Sequence, residues 1–342
     1  MDEMTVRERF HAVMNFQPFD RLPIVEWAVW WDKTIERWHG EGLPADVTDR
    51  YDLYRHFAQD VWFQDWLRAR DENCPRAPSH GAGILTDMDG YERIREHLFH
   101  WPVDRDRWAR WAELQRRGEA VLWFTVEGFF WFPRTLLGIE RHLYAFYDQA
   151  ELMHRMNADL AEWINRVVDE ICEICTPDFM TFAEDMSYNH GPMLSKAMFD
   201  EFMLPYYRRV VPRLQERGIL SIIDSDGDVT VPAAWFAEAG LDGILPLERQ
   251  AGVDVGALRR SHPRMRFIGC FDKMTMTRGE AAMRAEFERL LPTAAGGGFV
   301  VSVDHQTPPG VSYEDYQLFL RLFKEYAVAA GRLSVASGPR DG

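Results

Sequence analysis

The chain has 342 residues, 46% of them hydrophobic and 27% charged, with a formal net charge of −15 at neutral pH. That balance provides an ordinary globular interior and opposes nucleic acid and anionic membrane surfaces, both of which demand a basic footprint. No stretch has the apolar length needed to cross a bilayer, and Cys74, Cys172, Cys175 and Cys270 are too few and too scattered for a disulfide framework.

The first residues, MDEMTVRERFHAVMN, are acidic and amphipathic and lack the basic patch, apolar core and small-residue cleavage site of a signal peptide. They predict a helical extension on a cytoplasmic protein. Short β-rich runs then recur: LPIVEW (22–27), DVWFQ (60–64), VLWFTV (121–126), FMTFAE (179–184), ILSIID (219–224), GILPL (243–247), RFIGCF (266–271) and FVVSVD (299–304). Helical patterns lie between them, among them ERHLYAFYDQAELMHRMNADLAEWINRVVDEICEIC and SKAMFDEFMLPYYRRVVPRLQERG. Eight strands alternating with helices predict a parallel sheet closed into a single (β/α)8 TIM barrel over residues 1–330, followed by a flexible tail over 331–342. Cys172 and Cys175 form a CxxC inside a helical stretch with no second pair, so helix packing is expected of them rather than zinc.

Charge falls where each run ends: Asp65, Glu127, Glu184 and Asp185, Asp224 and Asp226, Glu248, Asp272 and Lys273, Asp304 and His305. In a barrel these positions share the C-terminal rim, where such folds build their sites. The densest cluster is SIIDSDGDV (221–229). It is no EF-hand, because position twelve counted from Asp224 is Trp235 rather than a bidentate glutamate. A solvated acidic turn and a cation- or proton-holding site remain as its two readings. Glu184 and Asp185 are candidates for a general base or for orienting a partner, and capping of a helix is the alternative for one of them. Trp27, Trp30 and Trp31, with Phe129, Phe130 and Trp131, offer either an apolar wall for a flat or methylated ligand or packing beneath loops. Glu127, Tyr188 and Glu248 complete the candidate substrate-binding set with Trp30, Trp31 and Trp131.

The chain resembles the uroporphyrinogen decarboxylase superfamily, which includes corrinoid-dependent methyltransferases. The resemblance runs through TVRERFHAVMNFQPFDRLPI, LGIERHLYAFYDQAELM, EDMSYNHGPMLSKAMFDEFMLPYYRR, DSDGDVTVPAAWFAEAGLDGILPLE, IGCFDKMTMTRG and GGGFVVSVDHQTPPGVSYEDY. It implies a single barrel, and its methyltransferase branch implies a metal site. The branch's His-x-Cys and later cysteine positions become Asp224, Asp226 and His305 here. This is a harder donor set than zinc-thiolate, compatible with zinc, manganese or iron(II). The implied reaction is methyl transfer between a corrinoid, delivered by a corrinoid protein, and a small-molecule substrate; a homodimer fits the family's habit. The decarboxylase branch implies instead an aspartate matched by Asp65, with His305 serving either branch. Its arginine clamp has no counterpart, since Trp30, Trp31 and Asp32 stand where it should begin. Decarboxylation of a smaller carboxylate is therefore the runner-up, and a non-catalytic corrinoid or tetrapyrrole binder the third reading.

Overall fold

A computed structural model describes residues 2–336. Seven of the eight apolar runs become strands. In chain order the strands are β1 (Val61–Leu67), β2 (Ala120–Glu127), β3 (Phe179–Ala183), β4 (Ser187–Tyr188), β5 (Gly191–Pro192), β6 (Leu220–Asp224), β7 (Gly243–Leu245), β8 (Arg266–Phe271) and β9 (Phe299–Val303). The short β4 and β5 pair only with each other, and the other seven follow the order β1-β2-β3-β6-β7-β8-β9 in one sheet. The pairs β2/β3, β3/β6 and β8/β9 are parallel. Every residue of β2, β3 and β9 is buried, the mark of parallel strands covered on both faces. The fold is α/β, of the TIM-barrel type, with the N-terminal helix Val6–Met14 ahead of it.

The first predicted strand is corrected. Residues 22–27 are buried and outside any helix, but side chains rather than a neighbouring strand satisfy much of their backbone. Asp60 accepts from the Ile24 amide at 2.8 Å and its own amide donates to Ile24 O at 2.8 Å. Ser302 donates to Val25 O at 2.7 Å and accepts from the Trp27 amide at 3.2 Å. The run thus lies between β9 and the residue that leads into β1. Arg21 pairs with Asp60 at 2.7 Å and gives the buried carboxylate its counter-charge.

Internal contacts divide the chain into two compact units, one of residues up to 63, 114–121 and 244 onward, the other of 64–113 and 122–243. In the first, Thr5 and Glu8 form a capping box that starts the helix Val6–Met14, which buries Phe10, Val13 and Met14. The long helix Tyr313–Ala336 packs on Glu280–Ala295, where Phe271, Phe287, Phe319 and Phe323 form one aromatic cluster. This helix corrects the expected tail. Residues 331–336 are its last turns, because Ser334 donates to Phe19 O at 3.3 Å and a Cβ at Gly331 would meet Asp20 O at 2.0 Å. Residues 337–342 lie outside the described residues.

In the second unit the 25-residue helix Ala150–Ile174 buries Leu152, Met156, Leu160, Ile164, Val167 and Ile171 at helical spacing and packs on Leu204–Glu216. Cys172 stands in its last turn and Cys175 at its C-cap, neither in a disulfide. No helix among the described residues is long and apolar enough to cross a membrane.

Candidate active site

In the second unit, strand register sets the carboxylates. Glu127 is level with Ala183, and Ala183 with Asp224, so the ends of β2, β3 and β6 coincide, and Glu184 and Asp185 follow directly. Their environments differ sharply. Glu184 is fully buried. Its oxygens accept from the amides of Phe129 at 2.8 Å, Phe130 at 2.7 Å and Trp131 at 3.3 Å, and from the Tyr207 hydroxyl. It therefore caps the helix Trp131–Leu137, whose first residues bring no Ser, Thr, Asp or Asn of their own. Gly128 makes room, since a Cβ there would lie 2.1 Å from the Glu184 carboxyl carbon. Burial pushes the Glu184 carboxyl up to about 7, against those hydrogen bonds. Asp185 occupies the left-handed region at φ 39° and accepts from the Asp226 amide at 3.4 Å.

The three aspartates of SIIDSDGDV (221–229) differ in environment. Asp224 is 9% exposed, and burial together with the neighbouring Asp185 and Asp226 carboxylates holds its pKa well above the ordinary range. Asp228 accepts from the Thr230 amide at 2.9 Å and shapes the turn. Asp226 is half-buried between them. Gly227, at φ 80°, lets the loop lie against the β4 hairpin, where the Asp228 amide donates to Tyr188 O at 2.9 Å.

Other predicted residues of this unit are already engaged. Asp65 accepts from Arg107 at 2.6 Å and from the Trp108 indole at 2.8 Å, so it faces the helix Arg105–Arg116, while its neighbour Gln64 donates to Thr125 on β2 at 3.0 Å. Glu127 is buried and paired with Arg70 at 2.7 Å. Trp131 carries the Arg134 guanidinium over its ring at 5.0 Å, and Arg134 donates to Asp185 O at 3.1 Å. Tyr188 is 52% exposed and meets His190 edge to face.

In the first unit, Glu248 and His305 each offer a ligand atom, and the two lie within 4.8 Å of one another. One ion bonded at about 2.0–2.2 Å to each spans such a gap after small side-chain rotation. The Trp27 ring meets His305 edge to face at 6.5 Å, and its indole donates to Val303 O at 2.8 Å. Trp30 is buried edge-on against Tyr54 and Tyr316, whereas Trp31 is 43% exposed at the start of the helix Asp32–Gly40. The aromatic segment thus divides between packing and surface.

Several groups outside the candidate site set support these residues. Glu26 is buried and accepts from Thr307 at 2.6 Å and Tyr316 at 2.7 Å, and burial raises it to about 7. Lys273 pairs with the fully buried Asp304 at 3.3 Å. Arg70, Arg107 and Tyr207 occupy three of the predicted carboxylates. Only Lys273 and Asp304 had a signal, their place directly after strands.

A TIM-barrel α/β fold whose strand ends carry buried and half-buried carboxylates and an imidazole defines a class of barrel enzyme. The family model for uroporphyrinogen decarboxylase (URO-D) matches residues 128–326, and the chain belongs to that family. No curated protein sequence matches it. Among solved structures it is similar to a methyltransferase from Methanosarcina mazei, at 15% identity and TM-score 0.65, over 95% of this chain and 99% of that one. A vitamin-B12-independent methionine synthase, described as putative, from Listeria monocytogenes overlaps at 10% identity and TM-score 0.47, over 94% of this chain and 99% of that one. The overlap with the Methanosarcina mazei structure speaks for the fold, and the looser one carries no argument.

Proposed function

We propose that the protein is a metal-assisted methyltransferase, moving a methyl group between a corrinoid co-substrate and a small nucleophilic substrate. The observation that carries this reading is the approach of the Glu248 carboxylate and the His305 imidazole from the loops after β7 and β9. Carboxylate and imidazole suit zinc, manganese or iron(II), so the residues present fit a divalent ion. His305 keeps the ligand role that the family resemblance gives it, and Glu248 joins it. When bound, such an ion lowers the pKa of a substrate hydroxyl or thiol and yields a nucleophile at neutral pH. In the unit of Glu248 and His305, Trp31 is substantially exposed and available to contact substrate.

The decarboxylase reading has less support. Asp65 is held by Arg107 and Trp108, and no arginine stands in the segment 27–31 to grip a substrate carboxylate. The binder reading differs only in lacking turnover.

Metal analysis of purified protein together with methylcobalamin demethylation tests the proposal. Stoichiometric divalent metal, lost in His305→Ala, and corrinoid spectral change driven by one member of a panel of thiols, phenols and amines are expected. Full turnover in chelator would sink the metal role, and saturable corrinoid binding without demethylation by any acceptor would favour a binder.

A further inference from the structure

We infer that Asp304 is a positioning residue for the Glu248–His305 pair, tying the backbone beside one to the backbone beside the other. The inference rests on the reading of that pair as cation ligands. Asp304 directly precedes His305 and is fully buried. One carboxylate oxygen accepts from the Arg249 amide at 3.1 Å, and Arg249 directly follows Glu248. The other accepts from the Lys273 amide and from Lys273 Nζ, both at 3.3 Å. One side chain thus joins the loops after β7, β8 and β9 behind the two candidate ligands.

The backbone around Glu248 shows why such a tie is needed. Leu247, just before it, sits in the left-handed region at φ 60°, which a branched side chain adopts only when its surroundings enforce it. Prolyl O of residue 246 accepts from the Cys270 amide at 2.9 Å, and a Cβ at Gly269 would lie 1.9 Å from that oxygen, so β8 presses against the segment from one side. Asp304 holds it from the other through Arg249. Glu248 is bracketed by a strained residue and a tethered one. Gln250 adds a parallel link at the surface, donating to Asp272 at 2.7 Å and accepting from Lys273 Nζ at 3.0 Å.

Stability alone does not call for a carboxylate here. A buried ion pair is often matched or exceeded by apolar residues of similar volume. What the carboxylate provides is three acceptances from donors on two other loops. An asparagine can reproduce only part of this, because one of its terminal atoms is a donor.

Titration of the full chain with Mn(II) alone, by calorimetry, tests the inference in wild type, Glu248→Gln, His305→Ala and Asp304→Asn. Wild type is expected to bind, and the two ligand variants to lose binding. Asp304→Asn is expected to bind about 10- to 100-fold more weakly, as outer groups that orient ligands do, while thermal unfolding of the metal-free protein shows it folded. Should Asp304→Asn fail to fold, Gln250→Ala at its exposed position removes the parallel link, with an expected loss of about 10-fold, the lower end of that range. Wild-type affinity in a folded Asp304→Asn, or in Gln250→Ala when that variant stands in for it, overturns the positioning role and leaves the ligand reading intact. Undiminished binding in Glu248→Gln and His305→Ala, or none in wild type, overturns the ligand reading itself and the inference with it.

Discussion

Asp224 and Asp304 occupy equivalent places, one closing β6 and one directly after β9, and both are buried with raised pKa values. Their neighbours are opposite. Asp304 faces Lys273 and two backbone amides, whereas Asp224 faces the carboxylates of Asp185 and Asp226. The same residue type at the same point of an α/β unit is therefore a structural anchor in one loop and an acid crowded by like charges in the other. Position after a strand does not by itself mark chemistry; the charge of the neighbours does.

Removing the cation from the anchor has the largest expected effect. Lys273→Met leaves Asp304 buried without its partner and is expected to cost about 3–5 kcal/mol in urea unfolding, the usual outcome of breaking a buried pair on one side. A loss below 1 kcal/mol would mean that the two amides alone hold the charge, and the contrast with Asp224 would weaken.

Next in size is a pH effect common to both regions. Burial raises Glu26 and Glu184 from an unfolded value near 4.5 to about 7. The folded state therefore binds more protons than the unfolded chain between these limits, and stability is highest below about 4.5 and declines as pH rises towards 7. Each group contributes on the order of 3 kcal/mol. Glu26→Gln is expected to flatten its share of the slope in unfolding curves taken across that window, and an unchanged slope would remove Glu26 from the account.

The smallest effect has the opposite sign to that of Lys273→Met. Asp224→Asn removes an acid whose charged form burial and the neighbouring carboxylates disfavour. In chelator at pH 7 it is expected to stabilise the protein by about 1–2 kcal/mol. Destabilisation of that size would show that the Asp224 carboxylate has favourable partners, and the comparison would fail.

Much of this arrangement was legible beforehand. Apolar runs of the right length, bounded by polar residues, marked seven strands and the level at which Glu127, Glu184 and Asp224 stand. The run 22–27 looked the same, but its partners are the side chains of Asp60 and Ser302, and no local pattern announces a hydrogen bond across some 275 residues. Asp65 was expected just past the run 60–64, but β1 continues through it to Leu67. Which face it takes follows from the Arg107 and Trp108 donors on a later helix, which period-two alternation cannot supply. Glu184 lay among the candidate bases, and only the fold shows Gly128 clearing space for its carboxylate against three amides. A flexible tail was expected over 331–342, yet Ser334 and Gly331 fit the segment around Phe19 and Asp20.

The contact at Gly227 carries a practical consequence for redesign. A methyl group added there would come within 2.7 Å of the Ser187 carbonyl carbon and the Tyr188 nitrogen, so the acidic turn and the hairpin beside it are fastened main chain to main chain. Sequence variation has no freedom at that joint. It belongs at Tyr188, whose ring projects into solvent from the same hairpin and can be exchanged without prising the two loops apart.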